Sequence, residues 1–250
     1  MADRPRILLM PSLTELEWII RPLLEEWAEV ASYDAPGVGD EPAAEASPFQ
    51  ARADRGLAEL DRRGWDRVIV VGDELGSLGA LLLARDRPGA VRGLALGHPI
   101  MSFDLTSERR SLNGAVVDAH YQLAETSQRA FVREQFRSWI GLQAERPVEA
   151  DPLAEEFLAR VPHGAARAFY GDILHNAGAY ALEVKEAREQ LPHLPTLLVH
   201  HADCMMFTQE GFEDAVAAMP HAETSSTHAK PSVDPAFAEA LRAFAERLPG

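Results

Sequence analysis

The sequence is poor in cysteine, in basic residues and in long apolar runs. Cys204 is the only cysteine among 250 residues, which excludes an internal disulfide framework and a multi-cysteine zinc site. The 24 Lys and Arg are outnumbered by 39 Asp and Glu, so there is no basic excess to bind a nucleic acid backbone. The apolar run at residues 7–10 is too short for a signal peptide or a membrane span. We therefore expect a cytoplasmic protein that contacts neither nucleic acid nor membrane.

What the sequence does contain is an alternation of short apolar runs with longer amphipathic stretches. This pattern is typical of a mostly parallel sheet covered by helices. It predicts strands at residues 7–10, 30–33, 67–71, 91–96, 196–201 and 223–227, and helices at 14–27, 49–63, 77–86, 209–219 and 235–248. Residues 101–190 interrupt the alternation and read as helices broken by glycine and proline. We predict an α/β core domain formed by residues 1–100 and 191–250, with residues 101–190 inserted as a helical cap.

A sharp turn follows the predicted strand at 67–71. The five residues Gly-Asp-Glu-Leu-Gly, from Gly72 to Gly76, carry the chain from that strand directly into a helix. Such a reversal forces the central residue into strained backbone angles, and it brings the first and fifth residues so close that side chains there would clash. The central side chain, Glu74, should then stand exposed at the C-terminal edge of the sheet, beside the N–H groups that open the helix.

This turn resembles the nucleophile elbow, G-x-S-x-G, of the α/β-hydrolase fold. Further segments are similar to that family in the same order: the Asp-Ala-Pro-Gly-Val-Gly turn at 34–39, the helix-to-strand passage at 85–94, the strand at 194–200 and the helix at 234–244. The resemblance covers nearly the whole chain. It implies a three-layer α/β-hydrolase fold with about six parallel strands, right-handed crossovers and no antiparallel entry hairpin. It also places Asp203 at the acid position and His228 at the histidine position.

Two departures from the family concern the chemistry. Glu74 stands where the esterases of the family have serine, and Met-Pro-Ser-Leu replaces the His-Gly pair that usually ends the family's third strand. Pro11 has no N–H to offer an oxyanion, so the candidate donors are the amides of Ser12 or Leu13 together with that of Leu75. Ordinary serine esterase chemistry is therefore not expected.

Three roles remain open for Glu74. It could attack an sp³ carbon to form an ester that water activated by His228 would cleave, with Asp203 orienting the histidine. It could act as a general base or acid, or it could cap the helix of an elbow kept as a folding device. We predict an enzyme with an atypical Glu74-His228-Asp203 triad, a hydrolase in the broad sense or a cofactor-independent lyase or cyclase. The alternative is an inactive homologue that binds a small ligand.

The expected substrate or ligand is a small apolar or aromatic molecule. The inserted segment supplies aromatic side chains, some of which should line the pocket: Tyr121, Phe131, Phe136, Trp139, Phe157, Phe169, Tyr170, His175 and Tyr180. We expect no metal site, because His200 and His201 occupy adjacent strand positions that face opposite sides of the sheet. No cofactor is expected either, and a homodimer is compatible with the sequence.

Overall fold

The protein forms one six-stranded sheet. The computed structural model describes residues 4–41, 48–99, 114–141, 150–164, 179–180, 182–191, 193–201, 204 and 208–249. The strands are β1 Arg6–Met10, β2 Glu29–Ser32, β3 Val68–Asp73, β4 Val91–Gly97, β5 Thr196–His201 and β6 Glu223–Thr227, in the spatial order β2-β1-β3-β4-β5-β6. All five strand pairings are parallel. The prediction of a parallel sheet of about six strands, without an antiparallel hairpin in the described part, is confirmed.

Helices connect the strands and cover both faces of the sheet. They are α1 Arg21–Glu25, α2 Pro48–Arg63, α3 Gly76–Asp86, α4 Gly114–Gly141, α5 Ala150–Arg160, α6 at residues 179–180 and 182–189, α7 Gln209–Ala218 and α8 Pro235–Arg247. The single helix predicted over 14–27 is wrong. A 3-10 turn at Glu15–Glu17 is followed by the short α1, which has Pro22 in its first turn, where a residue without an N–H is tolerated.

The buried residues form the three layers that the sequence predicts. Leu8 and Met10 of β1 pack into a core shared with α2 and α3, whereas Ile7 and Leu9 pack into a second core shared with α1 and α8. This alternation follows from the two-residue period of a strand, which sends successive side chains to opposite faces. Parallel strands covered on both sides are buried throughout, and all six residues of β3 are buried, with the apolar run at 68–71 followed by Gly72 and Asp73.

Helices α4 and α5 of the inserted segment pack against each other through a small core of their own. It contains Phe131, Phe136 and Phe157, which are at most 4% exposed, and it includes residues of the turn after β2. Tyr180 of α6 is also buried, at 4.6 Å from the ring of Phe49. These four aromatic side chains are packed in buried cores, and the expectation that some aromatic residues of 101–190 line a pocket stays a prediction.

Tyr121 remains half-exposed on α4. The predicted lining residues Trp139, Phe169, Tyr170 and His175 fall outside what the structure describes at the level of side chains. The cap boundaries at 101 and 190 stay predictions. No helix in the described part of the chain combines the length and the apolar character needed to cross a bilayer.

Candidate functional site

The elbow forms as its spacing predicts. Glu74 adopts a φ of 51°, in the left-handed region that side chains rarely occupy. A Cβ on Gly72 would lie 2.4 Å from the carbonyl oxygen of Gly76, and a Cβ on Gly76 would lie 2.4 Å from the carbonyl oxygen of Met10. Both glycines are therefore required by close backbone approach, and Glu74 is presented at the C-terminal end of β3.

The Glu74 carboxylate forms an ion pair with a buried lysine. Lys230 Nζ donates a hydrogen bond to Glu74 Oε2 at 3.0 Å, and the Lys230 side chain is 5% exposed against 19% for Glu74. Burial alone would lower the pKa of Lys230. The negative charges of Glu74, Asp73 and Glu17 outweigh it and hold the pKa above its usual range. The ammonium group therefore stays charged, and the carboxylate is the partner that a ligand meets.

A second carboxylate, that of Glu17, accepts hydrogen bonds from the amides that were predicted to bind an oxyanion. Glu17 Oε2 accepts hydrogen bonds from the backbone N–H of Ser12 at 3.0 Å and of Leu13 at 3.1 Å. The buried guanidinium of Arg52 donates to the carbonyls of Pro11 and Ser12 in the same loop. The prediction that Ser12 or Leu13 offers an amide to a substrate is corrected here, because both donors already bind an internal anion.

Leu75, the other predicted oxyanion donor, follows Glu74 at the start of α3. It is the N-cap residue of that helix, and its side chain is buried. Its position beside the elbow agrees with the prediction. Its role in binding an oxyanion stays a prediction.

Burial raises the pKa of the Glu17 carboxyl to about 7, although the charge of Lys230 and the amides of Leu13 and Ser12 oppose this shift. Since an unfolded chain loses this proton near its ordinary pKa of 4.5, the folded state binds more protons between about pH 4.5 and 7. The free energy of unfolding should therefore fall as the pH rises through this window.

We expect Glu17→Gln to remove that fall. The amide oxygen of glutamine still accepts from both backbone donors, but it carries no charge to bury. Between about pH 5 and pH 8, the free energy of unfolding of the variant should rise by roughly 2–3 kcal/mol relative to that of the wild type. Urea denaturation at the two pH values measures it. Glu15→Gln is the control, because the pKa of Glu15 is lowered from 4.5, so its loss should leave the pH dependence between about pH 5 and pH 8 unchanged. Equal pH profiles for wild type and Glu17→Gln would contradict the assignment.

Asp73 connects the elbow to a buried histidine after β4. Its Oδ2 accepts from the backbone N–H of Ser232 at 3.0 Å, and its Oδ1 lies 3.4 Å from Nδ1 of His98. Burial lowers the pKa of His98, but contacts with Asp73 and Cys204 outweigh burial and raise it to about 9. Neither Asp73 nor His98 belongs to the triad predicted from the sequence.

The predicted triad is not assembled among the described residues. The His228 side chain is exposed, while its backbone N–H and that of Ala229 donate to Oδ2 of Asp234, each at 2.9 Å. This turn exposes His228 and buries Lys230, two residues later, against Glu74. Glu74 is paired with Lys230 in this structure, its predicted pairing with His228 stays a prediction, and Asp203 lies outside the described residues.

Sequence reasoning missed Lys230 and Glu17, although each leaves a weak signal. Lys230 lies two residues beyond the predicted histidine, in the same loop. Glu17 interrupts the apolar side of the stretch 14–27, where a charged residue needs a partner. Nothing local indicates which partner either of them meets.

Helix α4 approaches Glu74 from the side of the cap. His120 on this helix is half-buried, and burial lowers its pKa while the charge of Glu74 partly offsets the effect. The Glu74 carboxylate thus pairs with Lys230, and its charge also reaches His120 of helix α4.

The parallel strand order, the strained elbow after β3 and the helical insertion after β4 define the α/β-hydrolase fold. No protein-family model matches the chain, and no curated protein sequence matches it.

Solved structures match it over nearly its whole length. A 2-hydroxy-6-oxo-6-phenylhexa-2,4-dienoate hydrolase from Rhodococcus sp. strain RHA1 is similar with a TM-score of 0.76 at 14% identity, over 97% of this chain and 91% of that one. A bromoperoxidase from Bacillus anthracis matches with a TM-score of 0.74 at 15% identity, over 98% and 92%. An enol-lactonase from Burkholderia xenovorans LB400 matches with 0.73 at 17% identity, over 98% and 93%.

Proposed function

We propose that this protein of the α/β-hydrolase fold binds a small molecule at the elbow without hydrolysing it by the chemistry of serine esterases. The observation that carries the proposal is the ion pair between Glu74 and Lys230. Glu74 stands at the position of the nucleophile, and Lys230 lies beside it, where a catalytic base would be needed. Glu17 on the loop amides is a further change with the same consequence, because an internal carboxylate fills the oxyanion position.

Among the described residues, the hydroxyls of Ser12 and Ser77 beside the elbow are both engaged with backbone carbonyls. Ser12 Oγ donates to the carbonyl of Asp73 at 3.1 Å, and Ser77 Oγ donates to the carbonyl of Glu74. A hydroxyl engaged with a carbonyl and lacking a neighbouring base is a weak nucleophile. Serine chemistry at this edge of the sheet is therefore disfavoured for these two residues.

The ligand we propose has an apolar or aromatic body and one hydrogen-bond donor. The donor would form a hydrogen bond to the Glu74 carboxylate, which is more exposed than Lys230 and bears acceptor oxygens only. The apolar body would lie toward helix α4, which approaches Glu74 at His120. A carboxylate-bearing ligand is disfavoured, because Glu74 and Glu17 already surround the one ammonium group described there.

We expect the neutral probe N-phenyl-1-naphthylamine, an aromatic body with one N–H donor, to bind saturably with one site. Glu74→Gln should weaken binding about tenfold, since a hydrogen bond to a charged acceptor is exchanged for one to a neutral amide. A fluorescence titration measures both affinities. Glu246→Gln is the matched control, because Glu246 also forms an ion pair, with Arg242, but on the surface. Equal affinities for wild type and Glu74→Gln would show that Glu74 does not bind the ligand.

A second experiment replaces Glu74 by serine, the residue that the esterases of this fold have at the elbow. If the remaining hydrolytic machinery were intact, Glu74→Ser should hydrolyse p-nitrophenyl acetate and react with a fluorophosphonate probe. The proposal expects neither result, and it expects no labelling of the wild type at residues 72–76. Saturable ester hydrolysis by Glu74→Ser, or stoichiometric labelling of Ser12 or Ser77 in the wild type, would contradict it.

A second candidate function is the enzyme predicted from the sequence, with Glu74, His228 and Asp203 as its triad. It is favoured by the strained φ of Glu74, because strain of this kind costs about 1–3 kcal/mol and concentrates at functional sites. In this proposal the Glu74 carboxylate attacks an sp³ carbon of a small apolar or aromatic substrate and forms an ester, while the bond from that carbon to a halide or to an epoxide oxygen breaks and its electron pair leaves with the halide ion or the alkoxide. Alternatively, Glu74 acts as a general base in a lyase or cyclase reaction. A substrate would reach Glu74 from its exposed side, because this side chain is 19% exposed.

Intact-protein mass spectrometry tests the second candidate. After exposure to a panel of epoxides, alkyl halides and lactones, His228→Gln should retain a substrate-sized adduct on Glu74, because the water that cleaves the ester is no longer activated. Glu74→Gln should give neither adduct nor turnover. Turnover by Glu74→Gln within about tenfold of the wild type, without an adduct on His228→Gln, would exclude catalysis by Glu74.

A further inference from the structure

Three side chains from two distant parts of the sequence meet at the C-terminal ends of β4 and β5. They are His98, His201 and Cys204, and one ligand atom from each lies within 4.8 Å of the others. Both histidines are at least nine-tenths buried, and Cys204 is partly exposed. The ring centroids of the two histidines are 5.7 Å apart. Two imidazoles and a thiol are the ligand types that zinc prefers.

His98 is held in the orientation that a metal ligand needs. Its Nδ1 faces Oδ1 of the buried Asp73, which leaves Nε2 on the side of His201 and Cys204. A carboxylate behind a ligating imidazole fixes its tautomer and raises its basicity. Nε2 now accepts a long hydrogen bond of 3.3 Å from the backbone N–H of His201, and a metal would replace this contact.

His201 supplies an independent observation. Its Nε2 is buried and has no hydrogen-bond partner in the described part of the chain, although the residue is only 8% exposed. An unpaired ring nitrogen in a protein interior costs free energy unless something binds it. The neighbouring His200 is equally buried, but its ring stacks on Phe212 at 4.8 Å and it is not part of the cluster.

We propose that His98, His201 and Cys204 bind one Zn²⁺ ion. The site differs from the one that the sequence excluded, because it uses only one of the two adjacent histidines and gains its other imidazole from β4. Ligand atoms bound to Zn²⁺ would lie about 3.5 Å apart, so the cluster has to contract by about 1 Å when the ion binds. Three protein ligands leave the fourth tetrahedral position to water. The proposal does not depend on what binds at Glu74.

The test is a metal titration of the full chain. Apo protein, prepared with a chelator and a thiol-free reductant, is titrated with Zn²⁺ in competition with 4-(2-pyridylazo)resorcinol, and separately with Co²⁺. We expect one equivalent to bind, a tetrahedral Co²⁺ spectrum with a thiolate charge-transfer band, and an increase in the melting temperature with Zn²⁺. His201→Gln and Cys204→Ser should each weaken Zn²⁺ binding at least about 100-fold.

His200→Gln is the matched control, since it removes a buried imidazole one residue away. It should leave the affinity and the Co²⁺ spectrum unchanged. Circular dichroism and a cooperative urea transition establish that each variant is folded, and the two ligand variants give independent tests. Absence of a stoichiometric site in the wild type, unchanged affinity in both His201→Gln and Cys204→Ser, or an equal loss in His200→Gln would each overturn the proposal.

Discussion

Gly72→Ala is expected to destroy the native fold, with a loss of about 4 kcal/mol or more in the free energy of unfolding. The added Cβ would lie 2.4 Å from the carbonyl oxygen of Gly76 and 2.6 Å from Cα of Ser77. These are backbone atoms of the elbow and of the first turn of α3, so no side-chain rotation can relieve the contact. The elbow would have to open, and with it the packing of α3 on the sheet. Urea denaturation followed by circular dichroism measures the loss.

Gly89→Ala is the control for this prediction. A Cβ on Gly89 meets no atom within 4 Å, so the same chemical change should alter the free energy of unfolding by less than about 1 kcal/mol. If Gly72→Ala were as stable as Gly89→Ala, the backbone could not be as close at the elbow as described.

Lys230→Met should lower the free energy of unfolding by about 3 kcal/mol or more, because it removes the cation shared by buried carboxylates. Glu74 loses its hydrogen-bonded partner, and the buried charges of Asp73 and Glu17 lose the ammonium that offsets them. Because methionine preserves most of the volume of the lysine side chain, the loss in the free energy of unfolding measures the removal of the charge and not the creation of a cavity. Urea denaturation near neutral pH gives the value.

A double-mutant cycle separates the Glu74–Lys230 pair from the rest of this cluster. Glu74→Gln combined with Lys230→Met should recover roughly 1–2 kcal/mol relative to Lys230→Met alone, since no unpaired carboxylate then remains at the elbow. Lys185→Met is the control: Lys185 is 60% exposed on α6, and its removal should cost less than about 0.5 kcal/mol. Additive effects in the cycle would show that the two side chains do not interact in solution.

The features predicted correctly from the sequence are those set by local spacing. The alternation of apolar runs determined the strands, and the two glycines four residues apart determined the elbow, because a strand that turns directly into a helix leaves no room for other residues. The error over 14–27 has a local cause that was visible, since Pro22 favours a helix start over a helix interior.

The partners at the site could not be predicted in the same way. Lys230 meets Glu74 across 156 positions of sequence, and His98 meets His201 across 103. Whether His228 or Lys230 turns inward depends on how Asp234 binds the two amides that follow β6. A motif gives the position of a loop, but the direction of each side chain follows from such contacts.

The balance of buried charge at the elbow affects how ligands approach the molecule from a distance. Three buried or half-buried carboxylates, those of Glu17, Asp73 and Glu74, face the two cationic groups of Arg52 and Lys230. Nearly all of the chain's net charge of −15 therefore lies outside this cluster, and its field extends over a screening length of about 8 Å at physiological ionic strength. Encounter with a cationic molecule is accelerated by this field and slowed by added salt, whereas an anionic molecule is repelled before it reaches the elbow.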